Sequence, residues 1–211
     1  METTHLAKDP FNIIITGVGG QGNVMASRIL SNMLVRKGFQ VTIGETFGAS
    51  QRGGSVMSHI RVSNDSTWSP QIPKGQADIV VTLEPIEAIR VLMTYGNPGV
   101  EVLTNTRPIY PVGVISGELN YPTNDEIQDA IRDLSSKAYF VDATDEALKL
   151  GNPILGNIIM IGALAGAGSL PLTRQDFQAV IQESLPAGTV DSNLKAYDLG
   201  VEKVKGKGHR A

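Results

Sequence analysis

Two spacings of apolar residues alternate along this chain, and the switches between them lay out its elements. NIIITG (12–17) is a β-branched run that reads as a buried strand. After the glycines that follow, Ala26, Ile29, Leu30, Met33 and Leu34 recur at helical spacing. That predicts a helix from Gly20, with Gly38 as its stop. QVTIGE (40–45) predicts a second strand, completing a βαβ unit of about thirty residues. VMSHIRVS (56–63) alternates, with Val56, Ile60 and Val62 on one side and Met57, His59 and Arg61 on the other. It predicts an antiparallel strand with one less-buried face. Residues 64–77 are polar and carry Pro70, Pro73 and Gly75, the marks of a loop.

ADIVVTL (77–83) reads as another buried strand, and Pro85 suits the first turn of a helix faced by Ile86, Ile89, Leu92 and Met93. VEVLTN (100–105) and AYFVDA (138–143) predict strands, and PVGVI (111–115) a shorter one. Thr123 and Glu126 form a capping-box pattern before the stripe Ile127, Ala130, Ile131 and Leu134. Beyond about residue 144 only helical patterns remain. Residues 154–167 are apolar nearly all round, which predicts a buried helix whose Gly162, Ala163, Gly166 and Ala167 permit close backbone approach. Thr173 and Asp176 open a helix faced by Phe177, Val180, Ile181 and Leu185, and Leu194, Tyr197, Val201 and Val204 face another. The expected fold is α/β: a Rossmann-like, mostly parallel sheet with helices on both faces and a helical C-terminal part. One domain is expected over 11–205, sheet-forming to 143 and helical from 144 to 205, with 206–211 as a flexible basic tail.

Charge narrows the function classes. A net charge of −3 and only 18% charged residues argue against general affinity for nucleic acid or an anionic membrane. The absence of cysteine excludes a disulfide framework, a cysteine nucleophile, and thiolate ligation of zinc or an iron–sulfur cluster by this chain. His5, His59 and His209 are too far apart in sequence to suggest a metal cluster. METTHLAKDP lacks the apolar core of a signal peptide, and the longest apolar stretch falls short of a membrane span. A soluble, cytoplasmic protein is expected.

The chemistry concentrates in glycine-rich turns. GVGGQG places Gly17, Gly19 and Gly22 in G-x-G-x-x-G spacing between strand and helix. In that pattern the first glycine permits a tight turn, the second a close backbone approach to a ligand, and the third close helix–sheet packing. The helix N-terminus behind Gly20 favours a phosphate. Glu45 ends the second strand, where a dinucleotide fold places its ribose-binding acid. Gln21 is unusual in such a turn; its amide could meet a polar ligand or a neighbouring loop. GASQRGGS (48–55) carries Gln51, Arg52, Gly53, Gly54 and Ser55, and the topology would bring this loop to the same sheet edge. Arg52 suits a phosphate or carboxylate, or equally an internal loop contact. Asn105 and Arg107 end another strand at that edge. No Ser–His–Asp arrangement or P-loop appears.

Taken together, GVGGQGNVMASRIL, ETFGASQRGGSVMSHIRVS, NPILGNIIMIGAL and NLKAYDLG resemble the gamma-subunit family of 2-oxoacid:ferredoxin oxidoreductases, most nearly the indolepyruvate type. The resemblance runs from about residue 11 to 202. It implies an accessory subunit of a complex that decarboxylates a 2-oxoacid to an acyl-coenzyme A and reduces ferredoxin. Thiamine diphosphate and iron–sulfur clusters would reside on a larger catalytic partner, and this chain alone would be inactive. Whether the glycine loops contact coenzyme A or the partner protein stays open. The alternative from the turn alone is a stand-alone nucleotide-binding protein or NAD(P)-dependent oxidoreductase.

Overall fold

The computed structural model describes residues 6–48 and 54–205, together with the backbone of 209–210. β1 (Phe11–Val18) is buried along its whole length because sheet neighbours flank both edges and helices cover both faces. Ile13 and Ile15 point into one core, and Ile14 into the other. The first core is completed by α1 (Asn23–Arg36) and a C-terminal helical layer of α6, α7 and α8, whose bounds follow below. The second is completed by α2 (Pro85–Tyr95) and by α4, the second helix after β5 (Glu101–Asn105).

Seven strands form one sheet among the described residues, in the order β2-β3-β1-β4-β5-β6-β7. The remaining strands are β2 (Gln40–Phe47), β3 (Ser55–Ser63), β4 (Ile79–Thr82), β6 (Lys137–Val141) and β7 (His209–Arg210). β1, β4, β5 and β6 pair in parallel. β3 lies antiparallel between β1 and β2. β2 therefore runs in the same direction as β1, as a βαβ unit requires, but does not touch it. The hairpin from β2 into β3 fills the intervening place. β7 pairs antiparallel with β6, so part of the stretch expected to be a flexible tail adds to the sheet edge.

Burial also corrects the reading of β3. His59 and Arg61, expected on the less-buried face, are 1% and 8% exposed. The polar loop 64–77 folds over them and supplies partners. Arg61 donates to Asn12 Oδ1 at 3.0 Å and to the Ser69 carbonyl at 3.1 Å, and its guanidinium lies over the Trp68 ring. The Ile72 amide donates to His59 Nδ1. Alternation identified the strand, but could not reveal that a loop would cover its polar side.

PVGVI is also corrected: it forms the short helix α3 (Val112–Ile115), not a strand. Pro111 fixes an extended backbone just before the turn, and the Ile115 and Ser116 amides donate to the Pro111 and Val112 carbonyls. The capping box expected at Thr123 is present, and Thr173, expected only to open a helix, forms a second one with Asp176. The two boxes begin α4 (Asn124–Asp133) at Thr123 and α7 (Arg174–Ser184) at Thr173. α5 (Ala143–Lys149), a 3-10 turn over Pro153–Leu155 and α6 (Gly156–Ala167) then lead to α7 and α8 (Val190–Val204). Glycine allows α6 and α8 to cross nearly backbone to backbone. A Cβ on Gly162 would overlap the Tyr197 carbonyl, and one on Gly200 would overlap the Ile159 carbonyl. Phe177 and Tyr197 stack beside this crossing with ring centroids 4.3 Å apart.

Candidate functional site

The carboxyl ends of β1, β4, β5 and β6 face the same way, and an open cleft of about 520 Å³ lies beyond them. This is where open parallel sheets bind ligands, because the loops diverge there and leave room. One wall is the turn after β1, with Gly19, Gly20 and Gln21. The floor is Leu83 and Asn105 at the ends of β4 and β5. The opposite wall comes from α5 and the start of α6: Thr144, Leu148, Ile154 and Asn157. Arg107 and Ile109 form the rim.

The turn depends on two left-handed glycines. Gly20 has φ 101° and Gly22 has φ 82°, conformations that strain any residue bearing a Cβ. Gly22 caps α1, which begins at Asn23 rather than at Gly20. Its role also differs from the packing against the sheet read from the sequence. A Cβ there would overlap Asn157 of α6, whose amide reaches the Gln21 and Gly22 carbonyls at 3.4 and 3.3 Å. Gly17 leaves space for two side-chain amides: a Cβ would lie 2.5 Å from Gln21 Oε1 and 2.8 Å from Asn23 Oδ1.

Gln21 ties the turn together. Its Oε1 accepts from the Val18 amide at 2.8 Å, and its Nε2 donates to the Leu83 carbonyl at 2.7 Å. Of the two roles open to it, the geometry gives the loop contact. Asn105 donates to the same Leu83 carbonyl and to Thr144 Oγ1, both at 3.0 Å, while its Oδ1 accepts from the Thr144 amide. One carbonyl thus joins the ends of β1, β4 and β5, and Asn105 extends the network to α5. Such a network holds the floor rigid and leaves the backbone of Gly19 and Gly20 facing the cleft.

The other expected site residues divide. Gly54 accepts from the Gly19 amide at 2.9 Å, so its loop does reach the turn. Ser55 points elsewhere and donates to Glu87 at 2.6 Å. Gln51, Arg52 and Gly53 lie outside the described residues. Arg107 pairs with Asp145 at 2.7 Å across a half-exposed rim. Glu45 is displaced by the β3 insertion: it pairs with Ser58, which in turn faces Ile15. A whole strand separates it from the place where a dinucleotide fold needs its acid.

Two features escaped the sequence reading. Asn157 is 2% exposed in an otherwise apolar helix, and its Oδ1 finds no donor among the described residues; Asn23 Oδ1 is likewise unmatched. A lone asparagine inside ILGNIIMIGAL was the available signal. The second is Glu84, fully buried directly after the cleft floor. It caps α2 through the Glu87 amide at 3.1 Å, and its other oxygen accepts from the Ile109 amide at 3.3 Å and the Tyr121 hydroxyl at 2.5 Å. Burial pushes its carboxyl pKa upward, opposed by these hydrogen bonds. Burial and the adjacent carboxylate push the Tyr121 phenol upward, so it remains the donor.

A raised folded-state pKa means that protonated Glu84 favours the folded chain. That contribution is fully present below the usual value of 4.5 and is lost as pH rises through the folded-state value. The stability of wild type relative to Glu84→Gln is therefore expected to fall as pH rises from about 4.5. Urea unfolding of both proteins across mildly acidic pH measures this; a difference constant with pH would contradict it.

The cleft suits a ligand of mixed character. The backbone of Gly19 and Gly20 and the side chains of Gln21, Asn105 and Thr144 supply polar edges, and Leu83, Ile109, Leu148 and Ile154 supply apolar walls. It does not suit an iron–sulfur cluster, since the chain has no cysteine. No group of three or more His, Asp or Glu side chains among the described residues could hold a metal ion. No helix among them is long and apolar enough to cross a membrane.

Comparison with known proteins gives a consistent result. A family model described as pyruvate ferredoxin/flavodoxin oxidoreductase matches residues 12–203. The chain is 40% identical to indolepyruvate oxidoreductase subunit IorB of Thermococcus kodakarensis over 196 residues, covering 92% of this chain and 96% of that one. It is 30% identical to pyruvate synthase subunit PorC of Methanothermobacter marburgensis, covering 91% and 96%. Among solved structures, pyruvate oxidoreductase subunit PORC of Thermotoga maritima matches with a TM-score of 0.68 at 22% identity, covering 93% of this chain and 97% of that one. The 2-oxoglutarate:ferredoxin oxidoreductase of Magnetococcus marinus, solved with 2-oxoglutarate, coenzyme A and succinyl-CoA bound, matches with a TM-score of 0.73 at 19% identity. There the match covers 97% of this chain but 32% of the other.

Proposed function

This chain belongs to the pyruvate ferredoxin/flavodoxin oxidoreductase family, and from that premise we propose that it is the small accessory subunit of an indolepyruvate-type 2-oxoacid:ferredoxin oxidoreductase. The 40% identity to an indolepyruvate oxidoreductase subunit, over nearly the full length of both chains, carries the reading. The complex would decarboxylate an aryl pyruvate, join the acyl group to coenzyme A and pass the two electrons released to ferredoxin. Thiamine diphosphate on the larger subunit supplies the carbanion chemistry, and clusters on that subunit carry the electrons. Both would work in the cytoplasm.

This chain's part is to hold coenzyme A. The Gly20 backbone, in the turn that leads into α1, would face a phosphate. Leu83, Leu148 and Ile154 would line the apolar arm. The stand-alone dehydrogenase alternative is disfavoured by β3, which separates Glu45 from the turn.

The test is turnover by the purified complex. Indolepyruvate is expected to reduce ferredoxin faster than pyruvate or 2-oxoglutarate, and only with coenzyme A present. Faster turnover of either other acid would overturn the substrate assignment. Ile154→Glu, which adds an anion to the cleft wall, is expected to raise the KM for coenzyme A about tenfold, the effect of losing about 1.4 kcal/mol. An unchanged KM would remove coenzyme A from this cleft.

A further inference from the structure

We propose that residues 106–122, joining β5 to α4, form the surface that docks onto the larger subunit. The inference rests on the subunit reading above and adds to it the face involved. Val112, Ile115 and Leu119 are 81%, 74% and 62% exposed. Val112 and Ile115 lie one turn apart on α3; Gly117, with φ 79°, then reverses the chain, and the Leu119 amide donates to the Gly113 carbonyl, bringing Leu119 back beside α3. The exposure of all three on one folded-back segment makes an outward apolar stripe, with half-exposed Tyr110 next to it in the chain. Apolar groups concentrated on one short segment mark a protein-binding surface more strongly than scattered ones.

Charge narrows the partner. Between Arg107 and Asp125, Glu118 is the sole Asp, Glu, Lys, Arg or His. A nucleic acid or lipid headgroup would find little to pair with, so the complementary surface is an apolar patch on a protein. The segment is also held in place. One oxygen of fully buried Glu84 accepts from Ile109 near its start and from Tyr121 near its end, and the Tyr110 and Tyr121 rings meet edge to face at 5.0 Å. A buried carboxylate thus anchors a segment whose apolar side faces solvent. That arrangement reduces the ordering cost of association.

Position selects the larger subunit over a second copy of this chain. Ile109 belongs both to this segment and to the cleft rim. A ligand in the cleft must present its reactive end to the subunit that performs the chemistry. A protein seated on the stripe therefore lies at the cleft mouth, and a second copy there would separate the cleft from the catalytic subunit.

The test is co-purification with the larger subunit after co-expression under anaerobic conditions. The double variant Val112→Asp/Ile115→Asp is expected to recover at least tenfold less of it than wild type. Its circular dichroism and melting temperature should be unchanged, because both positions are exposed. Met93→Asp, at a residue 78% exposed on α2, is the control and should co-purify like wild type. Undiminished recovery by the double variant would overturn the docking face and leave the subunit reading intact. Equal loss from Met93→Asp would overturn the assignment to this segment. If the double variant instead abolishes self-association and retains the larger subunit, the stripe binds a second copy and the inference falls. Wild type that recovers no larger subunit would overturn the subunit reading and the docking face with it.

Discussion

Gly200→Val is expected to destabilise the fold by more than about 3 kcal/mol, the upper end of overpacking effects. Gly200 lies where α8 crosses α6. A Cβ there would overlap the Ile159 carbonyl and stand 2.8 Å from the Ala163 amide. These are backbone atoms of a buried helix, so no rotamer change can relieve the clash. Gly162 meets the same constraint from the other helix, against the Tyr197 carbonyl. The helices would have to separate, pulling Phe177 and Tyr197 out of register. Urea unfolding gives the answer directly: the midpoint should fall sharply, or the variant should fail to accumulate folded. A midpoint like that of wild type would mean that the helices do not cross this closely.

Gly22→Val is the second large effect, expected at about 3 kcal/mol, a drop of about 9 °C in melting temperature for a chain of this size. Two costs combine. A β-branched residue must adopt φ 82°, and its Cβ must displace the Asn157 amide. Gly20 separates the two costs. It has φ 101° but no heavy atom within 4 Å of the added Cβ, so Gly20→Ala should lose only about 1 kcal/mol. Thermal melts of the two variants measure the contrast. Equal losses would mean that Asn157 does not abut the turn.

Elements were legible where a local pattern determines them. Ile13 to Ile15, the stripe of α1, the capping box at Thr123 and the helix start at Thr173 formed as read, because period and capping chemistry act over a few residues. The small residues of α6 were also informative, since Gly162 and Gly166 have no other use in a buried helix than close approach. Sheet order was not legible. Nothing within VMSHIRVS states that it will insert between two parallel strands, and that insertion removed Glu45 from the turn. Nor could alternation foresee that the loop 64–77 would satisfy Arg61 and His59.

The site was half legible for a related reason. Glycine spacing located the turn, since positive φ is a local demand. The chemistry of Gln21 and Asn105 depended on Leu83, more than twenty residues away from either, and resolved into a scaffold rather than ligand contacts. Glu84 carried no motif, and burial alone makes it conspicuous; Asn157 was marked only as the lone polar residue of an apolar run.

The most direct test of the whole account is to recover the tagged chain anaerobically from its own cells and measure what comes with it. The account predicts a larger subunit in equal proportion, carrying both iron and thiamine diphosphate. A chain recovered alone, free of iron and thiamine diphosphate, would contradict it.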